Sequence, residues 1–451
     1  MSSLPHPAPA PKVYIRTFGC QMNDYDSGKM RAQLARDGWQ STEDPDEADL
    51  VLLNTCSIRE KAVEKMHSAL GEFRRQKREG RPLTLGVTGC VAQLEGDALL
   101  DRYQNVDLVI GPDGVPHVRR LVAEARSGQR VLDTDFLDLE TYPFVTDLDP
   151  DAAKKVGAFV TIQKGCDNRC TYCIVPTTRG DEASRPSAEI LDEVRRLVET
   201  AGVQEITLIG QNVNSYGLKV PHEKNFAELL YAVAEVPGVR RIRYTTSHPR
   251  DMGDDVVQAY RDLPQLTSHL HLPVQSGNNK VLRRMKRFYT RERFLDIVGR
   301  LRQARPDLVL TTDFIVGFPG ETEDQFLDTM SLLDEVGFVS SFSFKYSPRP
   351  GTPALRLKEG YDDAVSGERL TRLQKRQREL SLAWTRSHEG QVVEVLVEGL
   401  SRHDEGVICG RTSSNLMVNF PGSAAEIGSW VKVRVIRGFT HTARGERVAG
   451  A

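Results

Sequence analysis

The sequence has no run of about 18 apolar residues, the length that a helix needs to cross a membrane. Its first residues, MSSLPHPAPAPK, are rich in proline and contain no apolar signal-peptide core. It also has no excess of positive charge, because the formal net charge is −2. These absences predict a cytoplasmic protein without a membrane partner, with a disordered tail at residues 1–11. Any nucleic acid would have to be held by local patches of charge.

Cysteine is also scarce, with 7 in 451 residues, but its positions are patterned. A chain of this length is too long for one ordinary core, so several domains are expected. In the cytosol, disulfides are the less expected use of cysteine. Six of the cysteines fall into two sets of three, and Cys409 is expected to pack as a small apolar residue. The two sets therefore point to metal binding.

Residues 12–127 alternate between short apolar runs and helical patterns. Three of these runs, VYIRTFGC, ADLVLLNTC and LTLGVTGC, end in Cys20, Cys56 and Cys90. Alternating strands and helices predict a parallel sheet, and such sheets bind ligands beyond the carboxyl ends of their strands. We expect the three cysteines to meet at that edge. Each alone could be a packing residue, but three in register on a repeating unit favour a shared metal site.

The rest of the chain shows three further patterns. Residues 128–151 are acidic and are expected to form a linker. Residues 152–385 contain six strand patterns separated by helical ones, which predict an incomplete (βα)6 barrel with its chemistry just after the strands. Residues 386–451 contain four short β runs, which predict a small β-barrel. The predicted fold class is α/β, with an N-terminal parallel α/β domain, the incomplete barrel and the C-terminal β-barrel.

The second cysteine set lies in the short stretch GCDNRCTYC, which contains Cys166, Cys170 and Cys173. Three thiolates in one loop can hold an iron–sulfur cluster. A structural zinc site would want a fourth ligand, and neither Asp167 nor Tyr172 is a good one. A cube of four irons bound at three corners leaves one iron open for a substrate or cofactor. The alternative is a zinc loop that a distant histidine completes.

The spacing Cys-x-x-x-Cys-x-x-Cys after the first strand of a (βα) barrel resembles the radical S-adenosylmethionine superfamily. The aromatic Tyr172 before the last cysteine also fits. The resemblance implies a 4Fe–4S cluster on Cys166, Cys170 and Cys173. It further implies that the open iron binds S-adenosylmethionine, which is cleaved to a 5′-deoxyadenosyl radical.

A wider resemblance covers nearly the whole chain. The segments RTFGCQMN, NTCSIREKA, GVTGCVAQ, GCDNRCTYCIVP, IGQNVNSYG, HLPVQSGNNKVLRRMKRFYT, TDFIVGFPGET and YSPRPGTPA are similar to the methylthiotransferase family. That family implies a second, auxiliary 4Fe–4S cluster on Cys20, Cys56 and Cys90, and a C-terminal TRAM domain that binds RNA. GQNVNSYG and YSPRPGTPA are most similar to the branch that acts on isopentenyladenosine in tRNA. RGDEASRP departs from the family in Asp181, where a larger residue is more usual.

The resemblance implies an enzyme that transfers a sulfur-containing group. The expected reaction is methylthiolation of the adenine C2 of isopentenyladenosine at tRNA position 37, by radical C–H activation, sulfur insertion and methyl transfer from S-adenosylmethionine. The expected partners are a tRNA anticodon stem-loop, an external electron donor and a sulfur source, and the chain is expected to be a monomer. Two alternatives within the family act on threonylcarbamoyladenosine or on a ribosomal-protein aspartate. An alternative from another class is a zinc-stabilised RNA-binding adaptor without catalysis.

Several polar residues near strand ends are candidate cofactor contacts. They are Tyr172, Gln211, Asn212 and Asp313. Each has the alternative role of a satisfied turn or helix cap. Lys164, Arg179 and Arg185 flank the second cysteine set and could neutralise a cofactor carboxylate, or form surface ion pairs instead.

A local basic patch lies near the end of the chain, at Lys432, Arg434, Arg437 and Arg444. Phe439 lies among these cations as a possible stacking partner. On composition alone a solvated face is the better interpretation. The resemblance to a TRAM domain favours contact with RNA phosphates and unstacked bases.

Overall fold

The structure, a computed structural model, describes residues 9–58, 60–401 and 404–448. Most of the tail predicted at residues 1–11 lies outside the described residues. The chain divides into two units. The first contains residues up to 152 together with 164–167 and 174–185, and the second contains 153–163, 168–173 and the chain from 186 onward.

The strands are numbered in chain order. They are β1 Lys12–Phe18, β2 Gln40–Ser41, β3 Leu50–Thr55, β4 Thr84–Thr88, β5 Leu108–Ile110, β6 Val131–Asp133, β7 Gly157–Thr161, β8 Gln163–Lys164, β9 Ala183–Ser184, β10 Glu205–Ile209, β11 Arg241–Tyr244, β12 His269–His271, β13 Val309–Val316, β14 Ser340–Lys345, β15 Val392–Leu400, β16 Val407–Arg411, β17 Met417–Pro421, β18 Trp430–Gly438 and β19 Thr442–Arg447.

The α-helices follow the same order. They are α1 Gln21–Ala35, α2 Glu60–Arg78, α3 Cys90–Glu95, α4 Asp97–Arg102, α5 Val118–Arg126, α6 Val175–Arg179, α7 Ser187–Ala201, α8 Phe226–Ala234, α9 Asp254–Asp262, α10 Asn279–Arg284, α11 Arg291–Ala304, α12 Glu323–Val336 and α13 Asp363–Arg386. None of the helices in the described ranges is both long and apolar enough to cross a membrane.

The first unit contains a parallel sheet with the strand order β2-β1-β3-β4-β5-β6. Every residue of the central strand β3 is buried, because helices cover both faces of the sheet. Val51 and Leu53 pack in a core with Met66 of α2. Leu50 and Leu52 face the other way, in a core with residues of α1 and α5. The predicted N-terminal parallel α/β domain is confirmed.

The segment 128–151 is more ordered than the linker that its acidic composition predicts. Its strand β6 adds to the sheet beside β5. Asp149 accepts two hydrogen bonds from Arg31 of α1, at 3.0 and 2.7 Å, and Asp147 accepts hydrogen bonds from Gln33 and Arg36. The acidic residues therefore bind basic and polar side chains of α1 instead of remaining solvated.

The second unit contains the predicted incomplete barrel of six parallel strands. β7, β10 and β11 form one three-stranded sheet, and β12, β13 and β14 form another. A parallel bridge between Ile242 and Leu266 connects β11 to the segment that leads into β12. The helices between the strands begin at local signals in the sequence. Asn225 and Glu228 form a capping box at α8, for example.

The C-terminal part is a closed β-barrel with the order β15-β16-β17-β19-β18. Four of these strands are predicted from the sequence, whereas β19 is not, because its sequence TARGER is mostly polar. In β19 the small residues Ala443 and Gly445 point inward, and Arg444 and Glu446 are exposed. The core contains Val395, Val418, Phe420 and Val435, among others.

Gly165, which precedes the second cysteine set, generates the first prediction. Its φ of +71° is in the left-handed region, and a Cβ there would overlap the carbonyl oxygen of Asp181. We expect Gly165→Ala to destabilise the first unit by about 2–5 kcal/mol, because an overpacking cost adds to the left-handed cost. The measurement is the midpoint of the earliest thermal unfolding transition.

Gly38, also in the first unit, supplies the matched control for this substitution. It has a φ of +81°, but a Cβ there would meet nothing within 4 Å. Gly38→Ala should therefore cost only the left-handed term of about 1–2 kcal/mol. Equal shifts in the two variants would contradict a specific clash with Asp181.

Candidate functional site

The N-terminal cysteines lie at the ends of three neighbouring strands. Cys20 follows β1, Cys56 follows β3, and Cys90 begins α3 directly after β4. A hydrogen bond from the thiol of Cys56 lowers the pKa of Cys20 and raises that of Cys56. Burial raises the pKa of Cys90, which also interacts electrostatically with Cys20. The parallel sheet thus brings three cysteines from distant parts of the sequence to one edge.

A buried arginine balances the charge at this edge. The Nη2 atom of Arg179 lies 2.7 Å from the Oδ2 of Asp26. Although burial opposes its charge, Asp26 and the thiols of Cys90 and Cys20 raise the pKa of Arg179 well above its usual value. A permanent cation next to buried thiols favours their thiolate forms, which are the metal-binding forms.

The surroundings of this set fit an iron–sulfur cluster. Buried hydroxyls of Thr55, Ser57 and Thr88 have no hydrogen-bond partner among the described residues, and they flank Cys56 and Cys90. In the described part of the chain, no three cysteine, histidine or carboxylate side chains are arranged to hold a single metal ion. A 4Fe–4S cluster suits thiolates that are farther apart than the ligands of a single metal ion, because each thiolate binds a different iron. The donor set is therefore soft, buried at Cys56 and Cys90, charge-balanced and supplied with hydrogen-bond donors.

Arg287 is a buried partner of Cys170, in the second cysteine set, and it is not among the residues predicted from the sequence. Its Nη1 donates to the Sγ of Cys170 at 3.6 Å, and its Nη2 donates to the carbonyl oxygen of Pro273 at 2.7 Å. Its Nε donates to the hydroxyl of Tyr289 at 3.1 Å. The guanidinium is buried, and the residue lies within the quoted segment MKRFYT, where spacing alone gave no signal.

The cysteine loop is bound to other loops that follow barrel strands. The backbone N–H of Thr171 donates to Met285, and its carbonyl accepts from the N–H of Ala354, at 3.1 and 2.8 Å. Cys166 and Cys170 are buried and Cys173 is half-buried. The backbone N–H of Cys166 donates to Gly180 at 3.2 Å. Backbone hydrogen bonds thus hold the loop at Cys166 and at Thr171.

The four candidate cofactor residues have different surroundings. Tyr172 is half-buried, with its ring edge-on to Phe318 at a centroid distance of 6.5 Å. Asp313 lies 3.4 Å from the Nε2 of His271 on the inner face of the barrel. Gln211 bonds through its backbone N–H to Gln163, at 3.4 Å.

Asn212 and His248 present buried polar atoms that suit a bound cofactor. Asn212 donates from Nδ2 to Asp251 at 2.7 Å, but its Oδ1 has no partner among the described residues. The Nε2 of His248 also has no hydrogen-bond partner among the described residues. Burial, together with the nearby Arg287 and Arg250, lowers the pKa of His248 to about 2, so the ring stays neutral. The pair offers an acceptor and a donor to a ligand such as S-adenosylmethionine.

Two of the cations near the cysteine loop form buried ion pairs within the first unit. Lys164 lies 2.5 Å from the Oδ2 of Asp113, and both side chains are buried. Arg179 pairs with Asp26 as described above. The alternative of a surface ion pair is therefore wrong for these two, because both pairs are removed from solvent; contact with a cofactor carboxylate stays a prediction. Burial lowers the pKa of Lys164 overall, while the carboxylate of Asp113 and, more weakly, that of Asp181 act to raise it.

The basic patch lies on the outer face of the C-terminal barrel. Lys432 and Arg434 are exposed on β18, where they alternate with the buried Val433 and Val435. Arg437 pairs directly with Arg444 across β18 and β19. Such like-charge neighbours are unfavourable unless a partner supplies negative charge.

The arginines of the patch differ in their neighbours. The guanidinium of Arg437 lies 5.4 Å from the ring centroid of Phe439, which is 42% exposed. Arg434 lies opposite Glu446 instead, so its charge is partly balanced. Arg437 and Arg444 are therefore the stronger candidates for contact with phosphate.

Comparison with family models identifies the class of protein. Residues 160–333 match the radical SAM superfamily, residues 386–448 match the TRAM domain, and residues 12–111 match a family described as uncharacterized protein family UPF0004. The barrel and the three-cysteine loop thus define a radical S-adenosylmethionine protein with a C-terminal TRAM domain.

Curated relatives identify the particular family. A tRNA-2-methylthio-N(6)-dimethylallyladenosine synthase of Aromatoleum aromaticum is 47% identical over 97% of this chain and 99% of its own length. A protein of the same name from Geobacter metallireducens is 47% identical over 96% of this chain and 98% of its own. The chain belongs to the family of tRNA-2-methylthio-N(6)-dimethylallyladenosine synthases.

Solved structures share the fold at low sequence identity. The radical S-adenosylmethionine methyltransferase TsrM from Kitasatospora setae has a TM-score of 0.56 and 14% identity, covering 76% of this chain and 74% of its own. The cobalamin-dependent radical enzyme OxsB has a TM-score of 0.53 and 11% identity, covering 81% of this chain and 56% of its own. These structures support the fold class only.

Arg287 generates the second prediction. We expect Arg287→Met to lower the iron bound by the second cysteine set, because the sulfur of Cys170 loses its buried cation. Reconstituted protein should retain about four irons on the other set, against about eight in the wild type. Iron and sulfide analysis with electron paramagnetic resonance of the reduced protein measures this.

Arg293→Met is the control. Arg293 forms an exposed ion pair with Asp296, so its loss should cost about 0–0.5 kcal/mol and leave the iron content unchanged. Full iron content and an unchanged spectrum in Arg287→Met would contradict the role of Arg287.

Proposed function

We propose that this chain methylthiolates C2 of the adenine in dimethylallyladenosine, the isopentenyladenosine of the sequence analysis, in tRNA. The observation that carries the proposal is the 47% identity to synthases of that name over nearly the whole of both chains. The target is the nucleoside next to the anticodon, so the macromolecular partner is a tRNA anticodon stem-loop. The TRAM match and the basic patch support an RNA substrate.

The two cysteine sets are proposed to hold two 4Fe–4S clusters. Cys166, Cys170 and Cys173 would hold the cluster that binds S-adenosylmethionine, and Cys20, Cys56 and Cys90 would hold the auxiliary one. When bound, the two clusters and S-adenosylmethionine would together supply three things. These are a radical that removes a hydrogen atom from carbon, a sulfur atom, and a methyl group. No ordinary side chain can abstract hydrogen from an unactivated C–H bond, which is why the reaction needs them.

The protein's own residues bind, orient and balance charge. Arg287 and Arg179 place fixed cations beside the thiolates. His248, neutral because its pKa is lowered, and Asn212 present a donor and an acceptor that suit the amino-acid end or the adenine of S-adenosylmethionine. Tyr172, Gln211 and Asp313 are proposed as further contacts. The remaining requirements are an external electron donor, a sulfur source and residence in the cytoplasm, and we propose that the chain acts as a monomer.

The third prediction tests this function in cells. In a strain that lacks the protein, nucleoside mass analysis of total tRNA should show loss of the methylthio-isopentenyl nucleoside and accumulation of its unthiolated precursor. Wild-type protein should restore the product. Loss of a methylthio-threonylcarbamoyl nucleoside instead would keep the family and change the substrate.

Cysteine variants assign the two clusters. Changing Cys166, Cys170 and Cys173 to Ala should abolish cleavage of S-adenosylmethionine. The corresponding change of Cys20, Cys56 and Cys90 should leave 5′-deoxyadenosine formation intact and block thiolation. Cys409→Ala is the matched control and should retain both. A colourless zinc protein after anaerobic purification would favour the non-catalytic RNA-binding adaptor.

The fourth prediction concerns the basic patch. Arg437→Glu with Arg444→Glu should weaken binding of tRNA across sequences and flatten its salt dependence, because each lost phosphate contact removes about one released counterion. Arg434→Glu should have a smaller effect, since Glu446 already balances that charge. Fluorescence anisotropy at several salt concentrations measures both. An unchanged slope in the double variant would mean that the patch is a solvated face.

A further inference from the structure

The inner face of the barrel carries two exposed phenylalanines on its last strand. In β14, Phe342 and Phe344 alternate with Ser341, Ser343 and Lys345, so the two groups point to opposite faces. Asp313 of β13 pairs with Phe342, and Ile315 pairs with Phe344. Paired residues of adjacent strands share a face, so these four side chains lie on one side of the sheet.

Contacts on both sides show which face this is. Lys345 binds Asp363 of α13 at 2.6 Å, and Phe314 of β13 packs on Phe338 at a centroid distance of 5.7 Å. Phe338 in turn packs on Phe294 of α11, so this side is the layer of outer helices. The opposite side, with Phe342 and Phe344, is the concave inside of the barrel. There the ring of Phe342 lies edge-on to His271 at 6.1 Å.

The exposure of these rings is unusual for their position. Phe342 is 56% exposed and Phe344 is 44% exposed. Side chains that point into a (βα) barrel normally fill it and are buried. Apolar rings left uncovered on a concave surface are typical of a ligand site.

The rings lie near the cysteine loop. Ile315, the register partner of Phe344, packs against a buried cluster that contains Met285, Phe318 and Tyr346. Tyr172 of the cysteine loop packs against the same cluster. Two residues along a strand correspond to about 6.6 Å, so Phe342 lies one such step from Phe344, toward the start of β14 and on the same face. The rings therefore border the place where the chemistry is proposed to occur.

We infer that Phe342, Phe344 and Ile315 form the wall that receives the five-carbon dimethylallyl chain of the substrate nucleoside. The inference rests on the proposed function and adds its specificity determinant. A branched hydrocarbon needs an apolar surface, which the two rings and Ile315 provide, with the polar Asp313 and His271 at the Phe342 end. The adenine of S-adenosylmethionine would also need hydrogen-bond partners for its edge, and among the described residues Asn212 and His248, on other strand ends, have buried atoms without a partner that suit it.

The test compares anticodon stem-loops with and without the dimethylallyl group. Phe342→Ala and Phe344→Ala should raise the Kd and KM for the prenylated RNA about tenfold, the loss expected when a buried prenyl chain becomes partly solvated. Binding of the unprenylated RNA and of S-adenosylmethionine should not change. Phe344→Tyr keeps the ring and adds a hydroxyl, so it should fold normally and still lose part of the preference.

Leu327→Ala is the matched control, since Leu327 is 45% exposed on the outer helix α12. An unchanged preference for the prenylated RNA in all three phenylalanine variants overturns the inference. Weaker binding of S-adenosylmethionine with both RNAs also overturns it, because the rings would then contact the cofactor. A wild-type protein that does not thiolate the prenylated stem-loop overturns the proposed function itself, whereas an active wild type with unchanged variants overturns the wall alone.

Discussion

Burying thiolates requires a compensating charge, and each cysteine set has a buried guanidinium beside at least one of its sulfurs. Thiolates cannot be buried without a partner, because an uncompensated charge in a low-dielectric interior costs several kcal/mol. Arg179 meets this need at the sheet edge of the first unit, where Asp26 fixes its position. Arg287 meets it at Cys170, where Pro273 and Tyr289 orient the guanidinium. Arginine suits the role better than lysine because burial does not remove its proton.

Parallel strand topology explains why these sets can exist at all. Cys20, Cys56 and Cys90 are far apart in the sequence, yet β1, β3 and β4 are neighbours and all end at one edge. The same principle places Asn212, after β10, and His248, after β11, at the carboxyl ends of the barrel strands. Whether these residues lie at one edge of a sheet therefore depends on the direction of the strands and not on the distance between the residues along the chain.

The elements predicted from the sequence are those with strong apolar periodicity. The six barrel strands and the strands before the N-terminal cysteines were predicted because each is a short apolar run. β19 and β6 were missed, since TARGER alternates small and charged residues and β6 has three residues in an acidic stretch. Arg287 and the phenylalanines of β14 could not be identified, because their roles follow from which face they share with distant residues. A sequence pattern shows alternation but not which side of a sheet is concave.

An incomplete barrel is a condition for the substrate that the chain is proposed to take. A closed eight-stranded barrel fills its interior with layers of side chains, so it has no space for an unstacked base. Here six strands in two three-stranded sheets leave the inner face reachable, and the exposure of Phe342 and Phe344 is the direct sign of it. Leaving two aromatic rings uncovered forgoes the burial energy that a filled core would gain. The rings are buried only when an apolar group of the substrate covers them. The free energy of burying them therefore contributes to substrate binding and not to folding.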